Sequence, residues 1–394
     1  MKILIVNSFY YPNVVGGAEN STQLLAEGLS KENTVKVFTI DSLNKASKEE
    51  KINNVDVYRS NGGLFNAQVR LTKKGSKLIK ITNKFVELYN FSIKKELSKL
   101  IEEFEPDIIH TNNVYGISPL IWKLSNKYNI PCIHTIRDYW IVNPKVVLPK
   151  KNNILLNIYQ RHFKKYSNYV SGVTAPSKFT LDNVIKYDYF KNAKVKCIPN
   201  SIDLDFEETK ELINQKKLKK DSNIKFLYVG GLEEHKGIIN LLNAFNKIDN
   251  ENITLTFCGD GSLKNYVIEA SKNDKRILYK GKLKKEKVNN EYRDSDVLII
   301  PSIWDEPFGR VVIEANQFGT PVIGANKAGI REILENTNSG ILFQYDDIND
   351  LKEKMNYMCD RKNIKKYYDN ILNSIEEYSV EKQIENFSKF YKNF

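Results

Sequence analysis

Short apolar runs alternate with segments of helical periodicity along the whole chain. In the first half, short and mainly apolar runs predict strands at residues 3–6, 35–40, 106–110, 131–136 and from 195. Between them, apolar residues recur at three- and four-residue spacing, which predicts helices at 18–29, 68–104 and 118–128. This alternation is typical of a parallel sheet flanked by helices.

A second series of the same kind begins at residue 224. Its apolar runs predict strands at 226–229, 253–258, 276–279, 297–300, 321–323 and 340–343. The polar, lysine-rich run 207–221 separates the two series and marks the predicted domain boundary. We therefore predict an α/β protein with two Rossmann-like domains, whose parallel sheets face each other across a cleft and bind ligands beyond their C-terminal strand ends.

The composition suits a protein of this kind. A length of 394 residues is enough for two domains, and 41% hydrophobic residues can form their cores. No apolar run approaches the roughly 20 residues of a membrane span, and Met1-Lys2 leads into a strand without a signal-peptide pattern. The four cysteines show neither Cys-x-x-Cys nor zinc-ligand spacing, so we expect free thiols and a cytoplasmic protein.

The formal net charge of +12 favours partners rich in phosphate, such as a charged substrate or an anionic membrane. The lysines are scattered and no nucleic-acid recognition motif is present, so we expect no nucleic-acid partner. One helical face in the predicted helix 68–104 is basic and its neighbouring face is apolar. The basic face carries Lys73, Lys77, Lys80 and Lys84. This pattern fits a helix lying on an anionic membrane, and equally one packed on the sheet with a solvated lysine face.

The residues that follow the predicted strand 297–300 carry the most chemistry. The loop Glu306-Pro307-Phe308-Gly309 leads into a predicted helix that begins near Gly309 or Arg310. The unpaired N–H groups of that helix end would face the C-terminal edge of the sheet and could bind a diphosphate. Glu314 lies one turn beyond Arg310, where its carboxylate could accept hydrogen bonds from ribose hydroxyls. From these residues alone, an ordinary charge pair at a helix end explains the two glutamates equally well.

The surrounding motifs resemble glycosyltransferase family 4, which consists of retaining transferases with the GT-B fold. The likeness rests on Pro301-Ser302, Glu306-Pro307-Phe308-Gly309, Glu314-Ala315, Ala328-Gly329-Ile330-Arg331-Glu332, Gly230-Gly231-Leu232, Lys236-Gly237, Arg137-Asp138-Tyr139-Trp140 and Gly16-Gly17-Ala18-Glu19. It covers nearly the whole chain. It implies an N-terminal acceptor-side domain at 1–205, a C-terminal nucleotide-sugar-binding domain at 206–378, and a final helix at 379–394 that crosses back to the first domain.

The resemblance implies a role for each residue near Glu306. Glu306 would face the donor sugar, and Lys236 would stabilise the charge of the leaving diphosphate, which makes them the candidate catalytic residues. Glu314 would bind the nucleotide ribose. The remaining donor-binding candidates are Gly16, Gly17, Gly231, Phe308, Gly309, Arg310 and Val311. No metal or other cofactor is expected, because a lysine and a helix end would hold the diphosphate.

Two positions depart from the family pattern. Gly231 stands where a phosphate-binding arginine is common, and Arg137 stands where many members have histidine. An arginine keeps its charge and cannot act as a general base, although it can bind a phosphate or an acidic sugar. Arg137, Asp138 and His110 are therefore candidate contacts to the acceptor or the sugar.

The leading hypothesis is a retaining transfer of a sugar from a nucleotide diphosphate-sugar to a saccharide acceptor, in cell-surface polysaccharide or lipopolysaccharide synthesis. A lipid-linked acceptor would place the protein at the inner face of the membrane. Two alternatives stay open: a nucleotide-sugar 2-epimerase with the same fold, and a non-catalytic nucleotide-sugar-binding protein. Retention is pictured as front-face attack, in which the leaving diphosphate helps to deprotonate the acceptor and Glu306 positions and stabilises charge.

Overall fold

The computed structural model describes residues 1–14, 16–40, 47–62, 83, 85–149, 153–220 and 223–394. It divides into two compact units, Met1–Ser201 together with Val380–Phe394, and Ile202–Ser379. The sequence analysis places the corresponding divisions after residues 205 and 378. The lysines at 73, 77, 80 and 84 lie outside the described residues, so the predicted basic helix face stays a prediction.

The described part of the first unit contains an eight-stranded sheet. The strands are β1 (Lys2–Val6), β2 (Thr34–Ile40), β3 (Lys48–Ile52), β4 (Val55–Ser60), β5 (Ile108–Thr111), β6 (Cys132–Thr135), β7 (Gly172–Ala175) and β8 (Lys194–Cys197). Their order is β3-β4-β2-β1-β5-β6-β7-β8, and β3 is the one antiparallel strand within it. The predicted strands of this half are confirmed. The hairpin β3–β4 is not predicted, because β3 is polar and largely exposed.

Helices connect these strands. They are α1 (Gly17–Leu29), α2 (Phe91–Phe104), α3 (Leu120–Lys127), α4 (Ile154–Ser167) and α5 (Lys178–Ile185). The predicted helix 68–104 is interrupted at residues 89–90, where the Asn90 side chain accepts a hydrogen bond from the N–H of Ile93 at 3.1 Å and caps α2. Residues 85–88 before the break are helical.

The second unit is built on a six-stranded, wholly parallel sheet among its described residues. The strands are β9 (Ile224–Val229), β10 (Ile253–Cys258), β11 (Ile277–Gly281), β12 (Val297–Ile300), β13 (Val322–Ala325) and β14 (Gly340–Phe343). Their order is β11-β10-β9-β12-β13-β14. All six predicted strands are confirmed. The strands β10 and β12 lie on opposite sides of β9, so the strand order reverses at β9. The C-terminal end of β12 therefore lies near the middle of the sheet edge, where ligands bind in such folds.

The helices of the second unit flank this sheet. They are α6 (Phe206–Leu218), α7 (Ile238–Asn246), α8 (Lys264–Asn273), α9 (Lys285–Asp294), α10 (Arg310–Asn316), α11 (Ala328–Thr337), α12 (Ile348–Met358), α13 (Arg361–Lys365) and α14 (Tyr368–Ser374). Two 3₁₀ helices lie at Glu234–Lys236 and Ile375–Tyr378. The polar run at 207–221, predicted as a boundary, forms most of α6.

The last helix, α15 (Val380–Tyr391), packs on the first unit. Phe387, Phe390 and Tyr391 join the core formed around β1 and α1. Gly28 allows a close approach of α1, because a Cβ at that position would lie 2.8 Å from a side-chain carbon of Ile384. Within the described segments, no helix is long and apolar enough to cross a membrane.

A buried lysine makes the stability of the second unit depend on pH. The Lys216 ammonium on α6 donates to the hydroxyl of Thr320 at 2.6 Å and to the carbonyl oxygens of Ser295 and Tyr292 at 2.9 and 3.4 Å. Burial lowers the pKa of Lys216 to about 7, although the nearby Asp296 acts to raise it. In the unfolded chain a lysine has a pKa of about 10.4, so between these values the unfolded state binds the extra proton.

We therefore expect the free energy of unfolding to rise with pH above 7. Lys216→Met removes this contribution, so its pH profile should lack about 2 kcal/mol of the increase that the original protein shows between pH 7 and 9. Urea unfolding of both proteins at several pH values measures the difference. Lys210→Met, at an exposed position of the same helix, is the control and should keep the original slope. Equal slopes for Lys216→Met and the original protein would contradict this expectation.

Candidate functional site

The predicted catalytic pair lies beyond the C-terminal end of β12. The Glu306 carboxylate accepts hydrogen bonds from the Lys236 ammonium at 2.5 Å and from the Ser302 hydroxyl at 3.1 Å. The same ammonium lies 4.7 Å from the ring centroid of Trp304, within cation–π distance. Both charged side chains are mostly buried, with 24% of Lys236 and 14% of Glu306 exposed. Two residues 70 positions apart in sequence thus form one charged pair that solvent still reaches.

Backbone hydrogen bonds fix the loop that carries Glu306. The carbonyl oxygen of His235 accepts from the N–H groups of Ile303 and Trp304 at 3.0 and 3.1 Å. The Lys327 ammonium donates to the carbonyl oxygen of Ile303 at 2.6 Å. The 3₁₀ helix that precedes Gly237 is therefore tied to the loop, which sets the position of Lys236 relative to Glu306.

Glycines permit the close packing around the motif. Gly237 has φ +74°, and a Cβ built on it would collide with the carbonyl oxygen of Pro301. Gly309 caps α10 with φ +90°. A Cβ at Gly329 would lie 2.6 Å from the Cα of Phe308, and the Gly329 N–H donates to the carbonyl oxygen of Glu306 at 3.0 Å. Gly237 and Gly329 require glycine because backbone lies against them, and Gly309 favours it because of its positive φ.

Glu314 is held by two donors on α10 and α9. Its Oε1 accepts from Nε of Arg310 at 2.7 Å, as the one-turn spacing predicts. Its Oε2 accepts from the hydroxyl of Tyr292 at 3.3 Å. Tyr292 is fully buried, and burial raises its pKa well above 10, so the hydroxyl keeps its proton and stays a donor. The sequence does not predict a role for Tyr292, since a tyrosine near the end of a helix is most often an ordinary core residue.

The other predicted donor-binding residues of this unit present mainly backbone. The Phe308 side chain is buried and packs on Tyr378 with ring centroids 6.2 Å apart, and Val311 packs against the same core. At Gly231 the carbonyl oxygen accepts from the hydroxyl of Tyr228 at 2.7 Å. A Cβ at Gly231 would meet only the Cγ of Glu233, at 3.8 Å, so a Cβ fits at this position.

In the first unit, Gly16 and Gly17 form the exposed start of α1. The Gly16 backbone is extended, and its N–H donates to the Glu19 carboxylate at 2.8 Å. A Cβ on Gly16 would meet no atom within 4 Å. Both residues are exposed, and their predicted contact with the donor stays a prediction.

Arg137 and Asp138 follow β6 at the C-terminal edge of the first sheet. The buried Arg137 guanidinium donates from Nε to the amide oxygen of Asn112 at 3.0 Å and from a terminal nitrogen to that of Asn200. Asp138 accepts from the N–H of Trp140 at 2.8 Å and so stabilises the turn after β6. The amide nitrogen of Asn112 is buried and has no hydrogen-bond partner among the described residues. The structure therefore places a charged group and an amide donor at the strand ends.

His110 lies inside the first unit and is fully buried. Its Nδ1 is 2.6 Å from the hydroxyl of Tyr391, and its Nε2 is 2.7 Å from the hydroxyl of Thr135. Burial lowers its pKa well below the usual value, so the ring is neutral near pH 7. Its position at a strand end suggests a contact with the sugar. The contacts with Tyr391 and Thr135 instead give the side chain a structural role, because they join α15 to the sheet.

The site thus combines a carboxylate–ammonium pair and a braced second carboxylate at the C-terminal edge of a parallel sheet. Across the described ranges, no group of three or more His, Cys, Asp or Glu side chains is arranged to hold a metal ion.

Two parallel-sheet α/β domains with this arrangement define a GT-B glycosyltransferase. Residues 15–206 match the model of Glycosyltransferase Family 4, and residues 209–376 match that of Glycosyl transferases group 1. The chain belongs to this glycosyltransferase family, as the sequence motifs predict.

Sequence relatives of the chain include two bacterial proteins. An uncharacterized 42.6 kDa protein in the cps region of Klebsiella pneumoniae is 31% identical over 347 residues, covering 84% of this chain and 87% of the relative. The UDP-Gal:alpha-D-GlcNAc-diphosphoundecaprenol alpha-1,3-galactosyltransferase of Escherichia coli is 24% identical over 312 residues, covering 75% of this chain and 77% of that enzyme.

Solved structures share the fold over the full length. Sucrose-phosphate synthase from Thermosynechococcus elongatus has a TM-score of 0.76 at 19% identity, covering 100% of this chain and 99% of that one. HepE from Anabaena, in complex with UDP, has a TM-score of 0.70 at 18% identity, with both chains covered fully. The GT-B fold predicted from the sequence is confirmed.

Proposed function

We propose that this protein is a retaining glycosyltransferase that moves a sugar from a nucleoside diphosphate-sugar to a saccharide acceptor in cell-surface polysaccharide synthesis. The observation that carries the proposal is the Lys236–Glu306 pair beyond β12, with Glu314 on the helix that follows. The cps-region relative and the galactosyltransferase relative support the polysaccharide setting. The UDP complex of HepE supports a nucleotide donor.

In this proposal each residue acts on a separate part of the donor. Glu314, oriented by Arg310 and Tyr292, accepts hydrogen bonds from the ribose hydroxyls. The backbone from Phe308 to Val311 and the Lys236 ammonium bind the diphosphate. When the bond between the anomeric carbon and the diphosphate oxygen breaks, Lys236 stabilises the negative charge left on the diphosphate.

Glu306 faces the sugar, where its negative charge stabilises the positive charge that develops on the anomeric carbon. The acceptor hydroxyl forms the new bond to that carbon, and its proton passes to the departing diphosphate. Arg137 and Asp138 on the first unit are the proposed contacts for the acceptor or the sugar, and Arg137 suits an anionic group. Gly16 and Gly17 offer backbone to the donor. The name of the galactosyltransferase relative supports a lipid-linked acceptor and hence a site at the cytoplasmic face of a membrane.

Incubation with a panel of isotope-labelled nucleoside diphosphate-sugars and a bacterial lipid-linked saccharide extract tests the proposal. We expect one donor to label the extract, with EDTA leaving the rate unchanged because no metal is required. A changed sugar still attached to its nucleotide would indicate an epimerase instead. Binding of a nucleotide sugar without turnover under all conditions would indicate a non-catalytic binding protein.

Restoring the family's arginine should strengthen donor binding. Gly231→Arg is intended to bring a guanidinium to the proposed phosphate position, and a Cβ at Gly231 meets only one side-chain carbon, at ordinary contact distance. A charge-assisted hydrogen bond to the diphosphate should tighten binding of UDP about tenfold, measured by isothermal titration calorimetry. Gly231→Gln, which adds a neutral hydrogen-bonding side chain, should change the affinity much less. Equal affinities of the two variants would show that no phosphate lies near this position.

A further inference from the structure

The first unit carries an apolar surface that its own described residues leave uncovered. Five apolar side chains on it are between 59% and 79% exposed: Phe85, Phe91, Ile154, Leu155 and Ile158. Three of them lie in the first half of α4, and the two phenylalanines lie just before and at the start of α2. Single exposed apolar residues are ordinary, but a cluster of large ones marks an interaction site.

Ring contacts join the two parts of this surface. Tyr89 packs between Phe85 and Phe91, with ring centroids 6.1 Å from each. It also contacts His162 of α4 edge-on at 4.7 Å, and Nε2 of His162 lies 3.2 Å from the carbonyl oxygen of Leu88. Leu155 and Ile158 precede His162 by seven and four residues on the same side of α4. The exposed residues therefore form one continuous face, which we call the α4 surface.

The outward side of α4 is apolar in its first half and basic in its second. Ile154, Ile158, Arg161 and Lys165 are exposed and recur at helical spacing, opposite the buried Phe163. A helix that only needed to be soluble would carry polar residues along this whole side. In α4 the most apolar residues face solvent. The positions of its apolar residues therefore do not predict which face of the helix is buried.

The segment of the chain that contains α4 carries charges of one sign only. Residues 139–181 contain six lysines and one arginine and no aspartate or glutamate. The formal net charge of all 394 residues is +12, so these seven cations account for much of the excess positive charge. A long segment without carboxylates meets no repulsion from a layer of anionic groups.

We propose that the α4 surface docks this protein on an anionic lipid bilayer. The exposed isoleucine, leucine and phenylalanine side chains enter the boundary between headgroups and acyl chains. Arg161 and Lys165 remain at the level of the phosphates, with their alkyl stems along the apolar layer. The exposed Arg161 and Lys165, in a segment without carboxylates, favour lipid over a protein partner, because they are complementary to a uniformly anionic surface. This inference does not depend on the proposed reaction, and it concerns a surface of the first unit, whereas the Lys236–Glu306 pair belongs to the second.

Vesicle binding tests the proposal with the full chain. We measure partition by flotation on vesicles of phosphatidylcholine alone and of equal parts phosphatidylcholine and phosphatidylglycerol. The original protein should bind the anionic vesicles at least about tenfold more strongly, and 0.5 M salt should remove most of this preference. The triple variant Ile154→Ser, Leu155→Ser, Ile158→Ser should lose about tenfold or more in partition. Arg161→Glu with Lys165→Glu should lose the preference for anionic vesicles.

Matched controls change similar residues on the second unit. Leu218→Ser with Leu278→Ser removes exposed apolar side chains, and Lys272→Glu with Lys275→Glu reverses exposed charges. Both should bind vesicles like the original protein. Thermal unfolding checks that each variant folds. If the triple variant does not fold, fluorescence of Ile158→Trp should be quenched by brominated anionic lipids.

Three outcomes overturn the proposal. The first is no binding of the original protein to anionic vesicles. The second is equal losses in the α4 variants and in the controls. The third is self-association in solution that the triple variant abolishes while lipid binding is absent, which would assign the surface to a second copy of the chain.

Discussion

Glu306→Gln should lower the transfer rate about 10²–10⁴-fold while changing donor affinity less than tenfold. The substitution keeps the size of the side chain, and its carbonyl oxygen can still accept the hydrogen bonds from Lys236 and Ser302. It removes the negative charge proposed to stabilise the anomeric carbon as the sugar leaves. That charge acts mainly in the transition state, so the loss should appear in kcat and much less in the dissociation constant.

Initial rates at saturating donor and calorimetric affinities measure the two effects separately. Glu335→Gln is a suitable control, because Glu335 is an exposed glutamate that pairs with Arg331 on α11. It should leave both quantities unchanged. A kcat for Glu306→Gln within a few-fold of the original enzyme would remove Glu306 from the chemistry.

Gly237→Ala should destabilise the protein by about 3 kcal/mol or more and lower the transfer rate with it. Gly237 has φ +74°, a conformation that alanine adopts only under strain. Its new Cβ would also collide with the backbone carbonyl of Pro301, which cannot rotate away as a side chain could. Relief of this contact requires the 3₁₀ helix to move from the loop, which displaces Lys236 from Glu306.

Urea unfolding of Gly237→Ala and Gly231→Ala side by side measures this effect. Gly231 lies in the same segment, but a Cβ there meets only one side-chain carbon at ordinary contact distance. We therefore expect Gly231→Ala to change the free energy of unfolding by less than about 1 kcal/mol. Equal unfolding midpoints for the two variants would show that the backbone contact at Gly237 does not constrain the loop.

The sequence predicts best the strands whose side chains are buried on both faces of the sheet. The runs at 253–258 and 297–300 coincide with β10 and β12, because a central parallel strand must be apolar throughout. The hairpin strand β3 escapes prediction, since its residues are mostly charged. Helix α4 escapes as well, since its strongest apolar residues point outward.

The site could be predicted only in part. The spacing of Arg310 and Glu314 indicates their contact, because residues four apart on a helix are neighbours. The Lys236–Glu306 pair joins distant segments, so only the family resemblance points to it. Tyr292 lies 22 positions before Glu314, and no local pattern signals its hydrogen bond. His110 shows the converse, since a polar residue at a strand end is turned into the core by its tertiary contacts.

The central claim is that a sugar leaves its nucleotide and joins an acceptor with its anomeric configuration kept. Proton NMR of a reaction with the donor found in the panel follows both events in one sample. We expect the nucleoside diphosphate and the glycosylated acceptor to accumulate in equal amounts, with the anomeric coupling of the product matching that of the donor. An intact nucleotide carrying an altered sugar, or a product with inverted configuration, would contradict the account.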